Sequence, residues 1–478
     1  MIVCRDRMGI KPLYIFQKPG YIAMVSEIKQ LTDLPGYTHI GNLPVIKQYL
    51  LTGFERSDST FFKGVNPVLP GTYFEIGIQN LTISEAYSYW NPQKIKPSIK
   101  SPQEAAALTY AAFDESIKIH LRSDVPIGCQ LSGGVDSSSI FSLMDKHYSG
   151  ESIHSFTIGF PGYEKDEFPI VQKMLMGSRA VQHVITSSPH SFLAEIDDFI
   201  LTQDAPVGSF SQYAGFVLAR LIGGIGVKVV LNGQGGDELF GGYWQQYYTF
   251  LFQQLKSGNL LTVAGQVLGS LLPNGNEQVV AQMPAFLKRY LNRRDNYPFS
   301  FTNSFKNLPS LNYLNDFFHL TQDERRIFSI RNLILPRLLK WDDRNLMRFS
   351  VEGRYPFLDH NVIETALTFH ESLLYRNGWT KYPLRKAMTN DVPKEILFRK
   401  AKWGFETPKQ YWLSHILKNE LADWIAAEKP LTQIITHESL KGMANSFWND
   451  NKMEDAQLLF RLFLLDRWLI KLNVHLEN

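Results

Sequence analysis

Two short stretches of this sequence hold residue types that could grip and activate a phosphate ester. The first is LSGGVDSSS, Leu131 to Ser139, behind the apolar run VPIGCQL. Gly133 and Gly134 let successive backbone N–H groups turn inward around an anion, and a helix opening here adds the partial positive charge of its N-terminus. No Gly-Lys-Ser/Thr follows, so this is not a Walker loop. Asp136 offers the carboxylate oxygen that a hard cation such as Mg2+ prefers when it bridges phosphates. Alone it would read as a first-turn helix acid favoured by the helix dipole; the Ser-Gly-Gly before it moves the reading to chemistry. The second stretch is LNGQGGDELFGGY, Leu231 to Tyr243. Its glycines, around Asp237 and Glu238, allow close backbone approach to a ligand, and a second carboxylate would complete a cation site begun by Asp136.

Strands must deliver these loops side by side. Three apolar runs, VPIGCQL (Val125 to Leu131), HSFTIGF (His154 to Phe160) and VKVVLNG (Val227 to Gly233), alternate with segments of helical period. That alternation predicts parallel strands covered by helices. Ahead of them, Ser101, Pro102 and Glu104 combine an N-cap, a first-turn proline and a capping-box glutamate, which predicts a helix through AAALTYAAFDESIKIHL. Residues 1 to about 90 read as short strands, among them PLYIF, YIAMVS and GTYFEIGI. The polar stretch NPQKIKPSIKSP, Asn91 to Pro102, reads as a linker and sets a boundary near residue 95. Residues 245 to 335 read as helical and irregular. The tail from Glu364 is mainly helical and closes on a core helix, QLLFRLFLLDRWLIKL.

Composition excludes several classes of protein. The 478 residues carry 49 basic and 46 acidic side chains, a net charge of +3, too even for nucleic acid or an anionic membrane as the main partner. With 20% charged and 44% hydrophobic residues the chain folds. Two cysteines, Cys4 and Cys129, exclude a disulfide framework, a four-cysteine zinc site and a CxxC pair, and point to a reducing cytoplasm. The mostly apolar stretch Leu260 to Leu272 falls short of the roughly 20 residues of a membrane helix, and no targeting segment is visible. His147, His154 and His183 show no metal-ligand spacing. Tyr243, Trp244, Tyr247 and Tyr248 are expected to pack against the helical segment that follows.

The SGGxDS string resembles the ATP-pyrophosphatase loop, in which ATP is split between its α and β phosphates. Adding RDRMGIKPLY (Arg5 to Tyr14), SEIKQL (Ser26 to Leu31), DRNLMRFSVEGRYPFLD (Asp343 to Asp359), TKYPLRKAM (Thr380 to Met388) and RKAKWGFETP (Arg399 to Pro408), the chain resembles the glutamine-dependent asparagine synthetase family over nearly its whole length. The resemblance implies an α/β fold: an ATP-pyrophosphatase-type parallel sheet with helices on both faces, over residues 96–478, with a mostly helical C-terminal part. Residues 1–95 would be a β-rich remnant of an N-terminal-nucleophile glutaminase domain plus the linker. It further implies an ATP-dependent ligase that converts aspartate to asparagine through an aspartyl adenylate, with ATP and Mg2+ as cofactors. Ser132, Gly133, Gly134, Ser137 and Ser138 would hold the pyrophosphate end. Adenine would lie against Leu131 and Ile158, Asn232 and Gly233 would meet the nucleotide, and Asp136 with Asp237 would ligate the metal. Lys402 would stabilise charge during adenylation and amide formation.

Two departures qualify what the resemblance implies. Gln234 stands where well-known members carry glutamate; it keeps size and hydrogen bonding but cannot take a proton as a base. The chain also begins part-way through the family's glutaminase domain. Cys4 lies inside the chain, the NGE-type glutamine loop is absent, and ammonia is therefore the expected nitrogen source, glutamine serving only through a separate glutaminase segment. A strand edge and one face of the N-terminal sheet are expected to lack their cover. A homodimer is left open. The rivals are an amide ligase of the same fold acting on another acid, β-lactam synthetase-like or glycan-amidating, and a catalytically silent binding partner.

Overall fold

Alternating side chains organise the N-terminal part. In the computed structural model, which describes all residues except 54, 151, 292–299, 309–319, 401–406, 451–452 and 478, six short strands form two three-stranded sheets. β1 (Ile2–Cys4), β5 (Thr72–Glu75) and β6 (Tyr87–Ser88) make one; β3 (Tyr21–Val25), β2 (Tyr14–Lys18) and β4 (Val65–Pro67) make the other. Tyr14 and Phe16 of β2 face inward with Val65 of β4, while Ile15 and Gln17 face the other way, as a period of two requires. The β1–β5–β6 sheet leaves Ile2, Cys4 and Tyr87 exposed on one face, as expected, whereas the β3–β2–β4 sheet is covered on the face of Tyr14 and Phe16. Phe61 and Phe62 meet the ring of Trp468 at centroid distances of 5.7 and 5.2 Å. Trp468 belongs to the C-terminal helix Met453–Lys471, so the anticipated core helix shares one core with the β3–β2–β4 sheet.

The main sheet has five parallel strands in the order β11 (Glu352–Arg354), β10 (Val229–Leu231), β7 (Ile127–Gln130), β8 (Ile153–Ile158) and β9 (Ala180–Ile185). Helices α2 (Pro102–His120) and α3 (Val135–His147) cover one face with Phe113, Ile117, Ile140 and Phe141. Helices α5 (Pro189–Gln203) and α6 (Phe210–Ile225) cover the other with Phe192, Phe199 and Phe216. The helix predicted at Ser101 is there, and the Ser101 hydroxyl accepts from the Glu104 N–H at 3.3 Å. Sequence patterning misses two strands. β9 is half-exposed and carries Gln182 and His183, and β11 is only Glu-Gly-Arg, so neither shows an apolar run. Among the described residues no helix is long and apolar enough to cross a membrane.

The helix Leu335–Arg348 joins the two parts. Arg344 and Asp204 are both almost fully buried, 3.5 Å apart. The Arg344 guanidinium also donates to the Tyr14 hydroxyl at 3.1 Å and to the Gln203 carbonyl. Asp204 accepts from the Ile28 N–H at 2.7 Å. Next in the helix, Asp343 receives Lys11 Nζ at 2.6 Å. Removing one partner of a buried ion pair leaves the other charge uncompensated. Arg344→Met is therefore expected to cost about 3–5 kcal/mol, read as a lowered denaturant midpoint; an unchanged midpoint would show that this contact does not hold the two parts together.

Candidate functional site

β7 and β10 are neighbours, with Ile127 opposite Val229 and Cys129 opposite Leu231. The two glycine loops therefore leave the carboxyl edge of the sheet side by side, where ligands of open α/β sheets bind. After β7, Gly133 takes φ +68°, and a Cβ there would lie 2.9 Å from Ile170 Cγ2. α3 then starts behind Gly134, its first N–H groups facing the loop. The Ser132 N–H donates to Ser137 Oγ at 3.2 Å, closing the turn. After β10 the short helix α7 (Gly236–Phe240) begins. A Cβ on Gly236 would come within 2.5 Å of Asp136 Oδ1, so only glycine lets the second loop approach the first this closely.

Lys381 joins the loops. Its Nζ donates to Asp136 Oδ2 and, at 2.9 Å, to Asp237 Oδ1, and its side chain is only 3% exposed. Burial opposes the ammonium form, yet the charges of Asp136 and Asp237 outweigh it and raise the Lys381 pKa. Lys381 lies in the TKYPLRKAM string, but its meeting with carboxylates 245 and 144 positions away has no signal in local pattern. Asp342 and the Arg399–Glu167 pair, 2.8 Å apart, were missed for the same reason.

Together the loops wall a cavity of about 340 Å³. Ser132, Gly133, Gly134, Asp136 and Ser137 line it from one side, and Asn232, Gly233, Gln234 and Asp237 from the other. Leu131, Ser138 and Ile158 do not line it; they are buried in the strand and helix behind the loop. Lys402 lies outside the described residues. Asn232 Nδ2 donates to Gln130 Oε1 at 2.8 Å and to Asp342 Oδ2 at 3.0 Å, while its Oδ1 accepts from the Gln234 N–H at 3.1 Å. Tyr243 reaches the cavity and gives its hydroxyl proton to Glu238 at 2.5 Å, whereas Tyr247 and Tyr248 pack in a separate cluster with Tyr375. Burial, reinforced by the Asp237 charge, pushes the Glu238 carboxyl up to about 7.

An asparagine synthase family model matches residues 109–470, and a glutamine amidotransferase domain model matches residues 1–90. The chain belongs to the asparagine synthase family. The family supports an ATP-dependent amide ligase, an enzyme that forms carbon–nitrogen bonds. Asparagine synthetase (glutamine-hydrolyzing) 1 of Bacillus subtilis (strain 168) is 29% identical over 451 residues, which cover 88% of this chain and 67% of that protein. Asparagine synthetase (glutamine-hydrolyzing) 3 of the same organism is 24% identical, covering 98% and 76% respectively. Amidase chyE of Penicillium rubens is 25% identical, covering 94% and 72%. A solved U34-tRNA thiolase NcsA from Methanococcus maripaludis aligns over 52% of this chain and 84% of that one, with 15% identity and a TM-score of 0.25, too weak to bear on the fold.

This family member has a donor set suited to Mg2+. Asp136 Oδ1 is buried without a hydrogen-bond partner and stands beside the second loop. Among the described residues no cluster of three His, Cys, Asp or Glu residues could hold a metal unaided. A cation there would rely on one or two carboxylates with phosphate oxygens and water, which is how Mg2+ is ordinarily bound. Across β8 and β9, His154 Nδ1 and His183 Nε2 lie 2.9 Å apart, a pairing that sequence spacing concealed.

Two measurements test this geometry. Lys381→Met leaves Asp136 and Asp237 facing each other without their shared ammonium, so ATP affinity by calorimetry is expected to fall about tenfold or more, the worth of one charge-assisted hydrogen bond; unchanged affinity would contradict it. Desolvation, opposed by hydrogen bonds from Tyr355, Gln130 and Asn232, raises the Asp342 carboxyl from 3.8 to about 6. The folded chain thus holds this proton more tightly than the unfolded chain. That contribution to stability is complete below about pH 4 and is lost as pH rises through about 6. Asp342→Asn is expected to raise the thermal midpoint more at pH 8 than at pH 5, and an equal shift at both would refute the raised value.

Proposed function

We propose that the chain joins ammonia to the side-chain carboxylate of aspartate, with ATP cleaved to AMP and pyrophosphate. The observation that carries the reading is the meeting of the two glycine loops around Lys381, with Asp136 and Asp237 converging on one buried point. The names of the Bacillus subtilis relatives support aspartate as the acid.

In this reading the phosphates of ATP rest on the backbone of Gly133 and Gly134 and on the N-terminus of α3, with Ser132 and Ser137 as hydroxyl donors. Asp136 and Asp237 would hold Mg2+, which when bound withdraws charge from the phosphate oxygens. A carboxylate oxygen of the acid attacks the α-phosphorus. The bond to the oxygen that bridges to the β-phosphate breaks, and pyrophosphate leaves with that oxygen. Lys381, already charged and held between two carboxylates, offsets the negative charge that develops. Ammonia then attacks the acyl carbon of the mixed anhydride, the acyl carbon–oxygen bond breaks with its electrons going to AMP, and the nitrogen releases a proton to solvent. Neutral ammonia has a free lone pair and needs no base before it attacks, so Gln234 is compatible with this step. It positions the turn through its N–H bond to Asn232.

A second reading, another acid on the same adenylating core, is favoured by amidase chyE and by amidase chry2 of Gibberella zeae, 23% identical over 89% of this chain and 70% of that protein. The test supplies ammonium chloride, Mg2+, ATP and L-aspartate and follows AMP, pyrophosphate and asparagine. All three are expected in equal amounts, with Asp136→Asn lowering the rate about 10²-fold or more. Pyrophosphate released with another acid but not with aspartate would favour the second reading, and none with any acid would overturn both.

A further inference from the structure

Among the described residues two charged groups lining the cavity have no partner of opposite charge, Arg385 and Asp342, and Asp342 is the one acid of that kind. Among the described residues its acids are Asp136, Asp237, Glu167 and Asp342, and its bases are Lys381, Arg385 and Arg399. Lys381 bridges Asp136 and Asp237, and Arg399 meets Glu167 at 2.8 Å. Arg385 turns its guanidinium to the backbone carbonyls of Thr380, at 2.7 Å, and Leu397. Among the described residues no cation pairs with Asp342. Its Oδ2 takes only neutral donors, the Tyr355 hydroxyl at 2.7 Å and Asn232 Nδ2 at 3.0 Å. A carboxylate in a confined site with only neutral partners lacks the counter-charge that normally compensates its desolvation.

Asp342 is also fixed in place. On the following residues of the same helix, Asp343 is held by Lys11, Arg344 by Tyr14 and Gln203, and Asn345 Oδ1 accepts from Gln203 Nε2 at 2.7 Å. The side chain therefore cannot readily swing out to find a cation elsewhere. Through Asn232 it is one hydrogen bond from the loop whose Gly233 abuts Asp136. The wall around it is amide-rich: Gln130 and Asn345 line the same cavity, and each of their amide oxygens accepts one N–H and has a second lone pair for another donor. A primary ammonium presents three donors on a compact charge and suits such a setting.

We infer that Asp342 is a specificity residue: it receives a cationic amine carried by the acid substrate, and so selects amino acids over the same acids lacking the amine. This rests on the adenylating reading above and narrows it to a substrate class, a carboxylic acid bearing an ammonium group. The substrate supplies the counter-charge that the protein withholds. Binding an acid without that amine leaves Asp342 uncompensated beside a second carboxylate.

The test uses the full chain with Mg2+, ATP and ammonium chloride and measures pyrophosphate release for matched pairs of acids, L-aspartate against succinate and L-glutamate against glutarate. For whichever pair reacts, the wild-type chain is expected to favour the amine-bearing member by about tenfold to a hundredfold in kcat/KM. Asp342→Asn is expected to shrink that ratio at least about tenfold, mainly through a higher KM for the amine-bearing member. Its thermal midpoint at pH 8 shows that it is folded. A wild-type chain that uses both members equally, or prefers succinate or glutarate, overturns the inference while leaving the ligase reading intact. So does an Asp342→Asn variant that slows both members alike, since that would mark a role in the chemistry or in structure. Absence of pyrophosphate with every acid removes the ligase reading and this inference with it.

Discussion

The parallel pairing of Val229–Leu231 with Ile127–Cys129 is the constraint on which the site depends. It places Asn232 level with Gln130 at one sheet edge, so the two glycine loops that follow meet over a single cavity. Gly236 then has to be glycine, because the Asp136 carboxylate occupies the space a side chain would need. The same closeness brings two carboxylates within reach of one ammonium, and Lys381 bridges both. In the proposed reading a polyphosphate would meet the N–H groups of the helix N-terminus, with the cations Lys381 and Arg385 in the cavity lining.

The rest of the fold holds that edge rigid. One hydrophobic cluster runs from β2 and the Phe61–Phe62 pair through α5 and α6 to the C-terminal helix, and a second surrounds α2, α3 and the opposite sheet face. Between the N-terminal strands and the ligase sheet lies the helix Leu335–Arg348. It turns Asp343 and Arg344 toward Lys11, Tyr14 and Asp204, and Asp342 and Asn345 toward the cavity. The N-terminal part thereby steadies a wall of the cavity, and among its described residues none lines that cavity.

Much of this was legible in the sequence because local chemistry carried it. SGGVDS and NGQGGDE declare tight backbone turns with acids attached, and the apolar runs before them declare buried parallel strands. Ser101 with Pro102 announced a helix start for the same local reason. What sequence reasoning missed depends on long-range packing. β9 and β11 are too polar to read as buried strands, and the partnership of Lys381 with Asp136 exists only once the fold is made. Asp342 carries no local signal in the sequence; that no cation among the described residues pairs with it is a property of the cavity, not of its neighbours in sequence. Tyr243 was grouped with aromatic residues of the helical segment, but the turn at Gly241 sends it to the cavity instead.

The central claim is that an acid's own oxygen captures the α-phosphorus of ATP held between these loops. L-Aspartate labelled with oxygen-18 in its side-chain carboxylate tests this most directly. After turnover with ammonium, mass spectrometry should find one labelled oxygen in AMP and none in pyrophosphate. Label in pyrophosphate or inorganic phosphate, or unlabelled AMP alongside asparagine, would contradict it.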